Sequence, residues 1–369
     1  MDNKVILHVM GMDSSKYGGI ERFNVELSKT LRKKGYKGVF VYESSPANRD
    51  FVEDIEREDC EIIVVNSRKN KLNFCIGLLK VLIEYRPLLV HAHFTKARFY
   101  AVPISRFWGI RRLFITIHSQ IGPKNEIKFF TRCWYRWVNR VARIIAVSDN
   151  LAMEYKTNWP DADVKRIYLG VKQMHENRED SRRALEIPQE QMMLLTIANY
   201  NYIKGLDVLC EAIEILMTNG ELSGNVCFYI VGQPDIDKEE LGVLISSLKI
   251  HKYIKMIGIS NEIHTYLSAA DIYIQPSRSE GIGLALMEAA SASLPLIGTR
   301  VGGIPEVIKE GFNGVLVESE DCATLANSIT CLMRDNGLRK RYGENSLKVY
   351  HDAFSVEEGV SQTVKYYGI

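Results

Sequence analysis

The chain has 369 residues, of which 46% are hydrophobic and 25% charged, and its 47 Lys+Arg against 45 Asp+Glu leave a net charge of +2. That length exceeds what a single core usually fills, so two domains are expected, each with the composition of a soluble globular protein. No apolar run approaches the ~20 residues of a membrane-spanning helix, and seven cysteines, odd in number and without CxxC spacing, suggest neither a zinc site nor a disulfide framework.

MDNKVILHVM runs straight into a strand pattern and lacks the charged, apolar and small-residue succession of a signal peptide, which predicts a cytoplasmic protein. Gly18-Gly19 then precedes the helical stretch ERFNVELSKTLRKKG. Those glycines read either as a turn or as a place where backbone and ligand approach closely. GVFVY, EIIVV, LLVHAH, LFITIH and RIIAVS complete a series of short apolar runs separated by helical stretches, the pattern of a parallel sheet wrapped by helices. His91 and His93 lie in the fourth run and His118 ends the fifth, where a histidine is either structural or in reach of a ligand.

Between them and the sixth run lies a basic, aromatic segment. Lys124, Lys128, Arg132, Arg136 and Arg140 recur every four residues among Phe129, Phe130, Trp134, Tyr135 and Trp137. On a helix this is either a cationic stripe facing an anionic membrane or a solvated face whose aromatics turn into the core. Residues 1–172 hold 30 basic against 18 acidic residues, and the remainder 17 against 27. The first half therefore suits an anionic partner: phospholipid headgroups, a lipid-diphosphate acceptor or nucleic acid.

The polar stretch 174–191 interrupts the pattern, which restarts with MMLLTIAN, VCFYIVG, YIKMIG, DIYIQPS, LPLIGT and NGVLVE. Two Rossmann-like domains follow, residues 1–172 and 173–354, with residues 355–369 expected as a helix. In such sheets ligands bind beyond the carboxyl ends of the strands, and two facing sheets would gather those loops around one cleft. Asp161-Ala-Asp163 and Asp235-Ile-Asp237 read as turn or capping residues rather than metal ligands. There is no P-loop, complete GxGxxG or HExxH.

The richest segment is 277–317. Glu280 closes a loop, Gly281, Ile282 and Gly283 lead into a helix from Leu284, and Glu288 follows about two turns on. A phosphate can sit at that helix start, and a carboxylate beyond it can accept ribose hydroxyls, although a solvated helical glutamate would have the same sequence.

These residues resemble the carboxy-terminal signature of the retaining glycosyltransferases of family 4, which have the GT-B fold. The E-x7-E pattern followed by GG-x-x-E is matched by Glu280, Glu288, Gly302, Gly303 and Glu306. The match extends to Gly18, Gly19 and Glu21, His118, YLGV and Lys204-Gly205. The resemblance implies an α/β chain of two Rossmann-like domains with parallel sheets facing a cleft, the first on the acceptor side and recovering the C-terminal helix, the second holding a nucleotide sugar. It implies that Glu288 binds the donor ribose, Glu280 the donor sugar, Lys204 the diphosphate and His118 the sugar or acceptor, with Gly18, Gly19, Gly281, Ile282, Gly283 and Leu284 lining the donor. The activity implied is metal-independent hexosyl transfer with retention, from UDP-sugar by preference to a lipid-linked saccharide in surface polysaccharide assembly. The protein would need no cofactor and no nucleic acid, and would lie peripherally on the inner membrane face. One position departs: where many members carry an arginine five residues before the lysine, this chain has Asn199, which weakens the diphosphate site or moves the task to another cation such as Arg278 or Arg300. A nucleotide-sugar 2-epimerase and a non-catalytic nucleotide-sugar-binding subunit are the rival readings.

Overall fold

The computed structural model describes all residues except 1–3, 12–13, 15–16, 67–70, 121–127, 175, 223 and 234–237. The chain divides into two compact units, Met1–Gly170 with Val356–Ile369, and Val171–Ser355.

The first unit is a seven-stranded parallel sheet of β1 (Val5–Met10), β2 (Lys37–Tyr42), β3 (Glu61–Val64), β4 (Leu89–His93), β5 (Leu113–Ile117), β6 (Arg143–Ala146) and β7 (Val164–Arg166), ordered 3-2-1-4-5-6-7. Helices α1 (Gly19–Lys33), α2 (Arg49–Arg57), α3 (Lys71–Tyr85), α4 (Phe94–Phe107), α5 (Phe129–Val141) and α6 (Asp149–Asn158) connect them. Strands covered on both faces by helices need apolar residues throughout, and the central β1, β4 and β5 are almost wholly buried. The edge strand β7, Val-Lys-Arg, is too short and polar to stand out in the sequence. It lies just after Asp161 and Asp163, which occupy the turn ahead of it.

The second unit repeats the plan. After α7 (Arg178–Ala184), six parallel strands, β8 (Met192–Ile197), β9 (Val226–Val231), β10 (Ile254–Gly258), β11 (Ile272–Gln275), β12 (Leu296–Thr299) and β13 (Gly314–Val317), are ordered 10-9-8-11-12-13. Connecting them are α8 (Leu206–Thr218), α9 (Lys238–Ser247), α10 (Ile263–Ala269), α11 (Leu284–Ser291) and α12 (Ile304–Val307), with α13 (Cys322–Arg334) and α14 (Asn336–Ala353) after the last strand. In each sheet the order reverses beside the first strand, at β1/β4 and β8/β11. That switch is where a doubly wound sheet opens a crevice at its carboxyl edge.

The last helix, α15 (Val356–Tyr367), packs on α1 in the first unit and buries Val356, Val360, Val364 and Tyr367. Among the described residues no helix is long and apolar enough to cross a membrane.

Candidate functional site

In the second unit the site is built at the ends of β8 and β11. Lys204 closes a short 3-10 turn, Tyr202–Lys204, and the next residue, Gly205, has φ +63°. A β-carbon there would sit 2.0 Å from the Pro276 carbonyl oxygen, so only glycine lets this turn lie against the end of β11. Arg278 fastens the two together. Its backbone N–H donates to Ile203 O at 2.7 Å and its guanidinium to Tyr202 O at 2.7 Å, stacked on the Tyr202 ring at 3.9 Å.

The turn brings Lys204 Nζ to 2.7 Å from Glu280 Oε2. Gln275 Nε2 donates to the same oxygen at 3.1 Å while its Oε1 accepts from Tyr273 OH at 2.7 Å. Burial, reinforced by the charges of Glu288 and Glu280, pushes the Tyr273 phenol well up, so it remains a donor. These donors converge on Oε2 and leave Glu280 Oε1 without a partner among the described residues.

The Glu280 loop is clamped from behind by the double glycine. Gly302 has φ +52° and a β-carbon on it would meet Glu280 O at 1.8 Å; one on Gly303 would meet Gly281 O at 2.5 Å. The spacing of the signature thus has a steric cause. Gly281 and Ile282 are buried in the same loop, and Gly283, at φ +81°, caps α11, whose first residue is Leu284. Glu288 is 6% exposed, which removes the reading as a solvated helical glutamate. Asn199 follows β8 in a loop so close to the end of β9 that a β-carbon on Gly232 would meet Ala198 O at 1.9 Å. Both proposed stand-ins for the missing arginine are engaged in ion pairs. Arg278 pairs with both oxygens of Asp207 at 2.7 Å and with Glu320, while Arg300 pairs with Glu310 and Glu318, each at 3.1 Å.

In the first unit, Gly18 caps α1 with φ −91° and ψ −169°, a conformation open to any residue, so torsion does not demand a glycine there. Its N–H donates to Glu21 Oε2 at 3.1 Å, and Ser14 Oγ donates to Glu21 Oε1 at 2.9 Å. Gly19 begins the helix. His118, half-buried beyond β5, stacks on Phe94 with ring centroids 4.3 Å apart and planes 18° from parallel. Phe94 occupies the left-handed region, φ +65°, at the sharp β4–α4 junction, a strained conformation for a non-glycine residue. Burial lowers the His118 imidazole to about 3, which leaves it neutral at physiological pH.

His8, His91 and His93 lie behind it, buried, with ring nitrogens within 4.8 Å of one another, a grouping that could in principle ligate a cation. His91 is already committed through both nitrogens, to Tyr367 OH at 2.5 Å and Thr116 Oγ1 at 2.7 Å. Among the described residues no carboxylate bonds to the cluster, so a dication there would lie uncompensated in the core. The sequence marked His91 and His93 but not His8, which is visible only once β1 is paired with β4. An open groove between α1 and α15, lined by Glu26, Lys34, Glu357 and Lys365, contains none of these groups.

In the basic segment, Lys128 caps α5, Arg136 and Arg140 are exposed and Arg132 is half-buried; Lys124 lies outside the described residues, as do Asp235 and Asp237. The aromatics divide. Tyr135 is buried, Trp134 stacks on Phe99 at 4.0 Å, and Phe129 and Phe130 are exposed.

Residues 17–173 match the model of Glycosyltransferase Family 4, and residues 177–349 that of Glycosyl transferases group 1. The chain therefore carries a family 4 glycosyltransferase domain followed by a group 1 glycosyltransferase domain. It is similar to N-acetyl-alpha-D-glucosaminyl L-malate synthase of Bacillus anthracis, 27% identical over 59% of this chain and 57% of that protein. A D-inositol 3-phosphate glycosyltransferase of Pseudarthrobacter chlorophenolicus is 24% identical over 91% of this chain and 88% of that protein. Three of the curated relatives are spanned over only 57%, 44% and 60% of their length. Among solved structures, Anabaena HepE in complex with UDP and glucose superimposes with a TM-score of 0.84 over 99% of both chains at 20% identity, a likeness of GT-B fold.

Proposed function

We propose that this chain transfers a hexose-type sugar from a nucleoside-diphosphate sugar, UDP by preference, to a lipid-linked saccharide with retained anomeric configuration, in polysaccharide assembly. The reading is carried by the Glu280–Lys204 cluster, a carboxylate and an ammonium held together by Gln275, the Arg278 brace and the double glycine. As the bond to the anomeric carbon stretches, the sugar gains positive and the departing diphosphate negative charge. Lys204 and the amides at the start of α11 meet the diphosphate, while Glu280 Oε1 accepts a sugar hydroxyl. Glu288 accepts the ribose hydroxyls. Asn199 adds a neutral donor and no charge, so the diphosphate is held by one cation from this loop. His118 contacts the sugar or the acceptor.

The proposed lipid side is the helical layer of α3, α4 and α5. It exposes Lys128, Arg136 and Arg140 beside Phe129, Phe130 and Phe107. Along α3, Leu72, Ile76, Leu79 and Ile83 form a further exposed apolar stripe, and a helix apolar on both faces calls for cover. The names of two relatives specify malate and inositol phosphate, so a small anionic acceptor is the second reading.

A thermal-shift screen against UDP, GDP, ADP and their sugar conjugates tests the donor. Stabilisation by one nucleotide, lost in Glu288→Ala, is expected; no shift with any of them would sink the reading. Product analysis with donor alone separates transfer from 2-epimerisation, and lipid-linked saccharide against malate or inositol phosphate separates the two acceptor classes.

A further inference from the structure

Three imidazoles form a file through the carboxyl half of the first sheet. His8 Nδ1 lies 3.4 Å from His93 Nε2, and His93 Nδ1 lies 3.4 Å from His118 Nε2. The planes turn by only 27° and 31° along the file. His91, although 4.0 Å from His93 by ring centroid, stands apart because Tyr367 and Thr116 occupy its nitrogens.

A neutral imidazole has one N–H and one bare nitrogen, so each donor in such a file must face an acceptor and the direction at one end fixes the rest. Burial keeps all three rings neutral at physiological pH. Two directions remain. If protons point inward, from His118 to His93 to His8, the file ends in an N–H on His8 Nε2. That atom is buried and has no partner, on a ring stacked against Phe40 at 4.7 Å. An orphaned buried N–H is rarer than an under-used acceptor. The outward direction leaves a bare nitrogen at that place instead. His8 Nδ1–H then donates to His93 Nε2, His93 Nδ1–H donates to His118 Nε2, and the His118 proton is forced onto Nδ1, which has no partner among the described residues.

We propose that His8 and His93 are positioning residues that lock His118 as its Nδ1–H tautomer, so that it meets a substrate oxygen as a hydrogen-bond donor. The substrate contact rests on the function proposed above; the tautomer does not. The stack on the strained Phe94 fixes the plane of the ring while the file fixes the side on which its proton resides.

The test is long-range 1H–15N correlation on the full chain with 15N-labelled histidine, without ligand. A protonated Nδ1 and a bare Nε2 are expected for His118, His93 and His8 alike. His8→Asn, whose amide N–H replaces Nδ1–H, should keep that pattern. His8→Leu should shift His118 toward the Nε2–H or an averaged form and lower kcat about tenfold, the worth of one hydrogen bond, with UDP affinity unchanged. An Nε2–H His118 in the wild-type chain overturns the proposal even if a variant fails to fold, and so does a His8→Leu chain with the wild-type pattern and kcat. The expected pattern in a chain without transferase activity leaves the lock standing and removes the transfer reading.

Discussion

Glu280 and Glu288 share a signature but stand in different surroundings, and their substitutions should separate. Glu280 Oε2 is held by Lys204 and Gln275, so Glu280→Gln keeps the shape while losing the charge beside the developing cation. The expected result is a fall in kcat of about 10²-fold or more with nucleotide affinity little changed, measured by turnover and by calorimetry with UDP. Glu288→Ala should instead weaken UDP binding about tenfold, the loss of a hydrogen bond to a charged group; wild-type affinity would end its assignment to ribose. Gly302→Ala is a backbone test of the same site. With φ at +52° and Glu280 O 1.8 Å from the new carbon, the Glu280 loop must move, and we expect about 1–3 kcal/mol of lost stability together with weakened donor binding. At this scale the sequence marked Lys204, Glu280 and Glu288 but not their partners. That Arg278 braces the Lys204 turn while paired with Asp207 and Glu320, 71 and 42 residues away in sequence, could not be read from the segment itself.

The elements were largely legible because parallel strands buried on both faces leave continuous apolar runs. β7 escaped, being three residues at an edge. The exposed stripe on α3 escaped too, since an apolar helix reads as core until its neighbours are known; Phe74, Leu78, Val81 and Leu82 face inward while Leu72, Ile76, Leu79 and Ile83 do not. If α3 and α5 together meet an anionic bilayer, Arg136→Glu/Arg140→Glu should abolish sedimentation with anionic vesicles at low salt, and Ile76→Ser/Ile83→Ser should weaken what persists at high salt. Equal binding by the wild-type and both double variants would dismiss the surface.

On the scale of the whole molecule, burial pushes His8, His91, His93 and His118 below the ordinary imidazole value of 6.5. Between pH 6.5 and 5 the unfolded chain takes up protons on these groups that the folded unit refuses, so stability falls as pH falls. Each such histidine steepens the loss by up to about 1.4 kcal/mol per pH unit. Calorimetry from pH 7 to 5 should show the melting transition of the first unit dropping, less steeply in His8→Leu by one proton; a transition indifferent to pH would contradict the buried file. The sequence by itself determined two α/β units and the likeness of each to a glycosyltransferase domain, and it singled out the 277–317 segment, because strand periodicity, glycine turns and motif spacing are local properties. Only the tertiary structure decided that Glu288 is buried, that Glu280 and Lys204 form one cluster, that α15 packs on α1 in the first unit, and that His8, 110 residues from His118, belongs to its file. Those relations depend on which strands become neighbours, and strand order is set by the packing of the whole sheet rather than by any one segment.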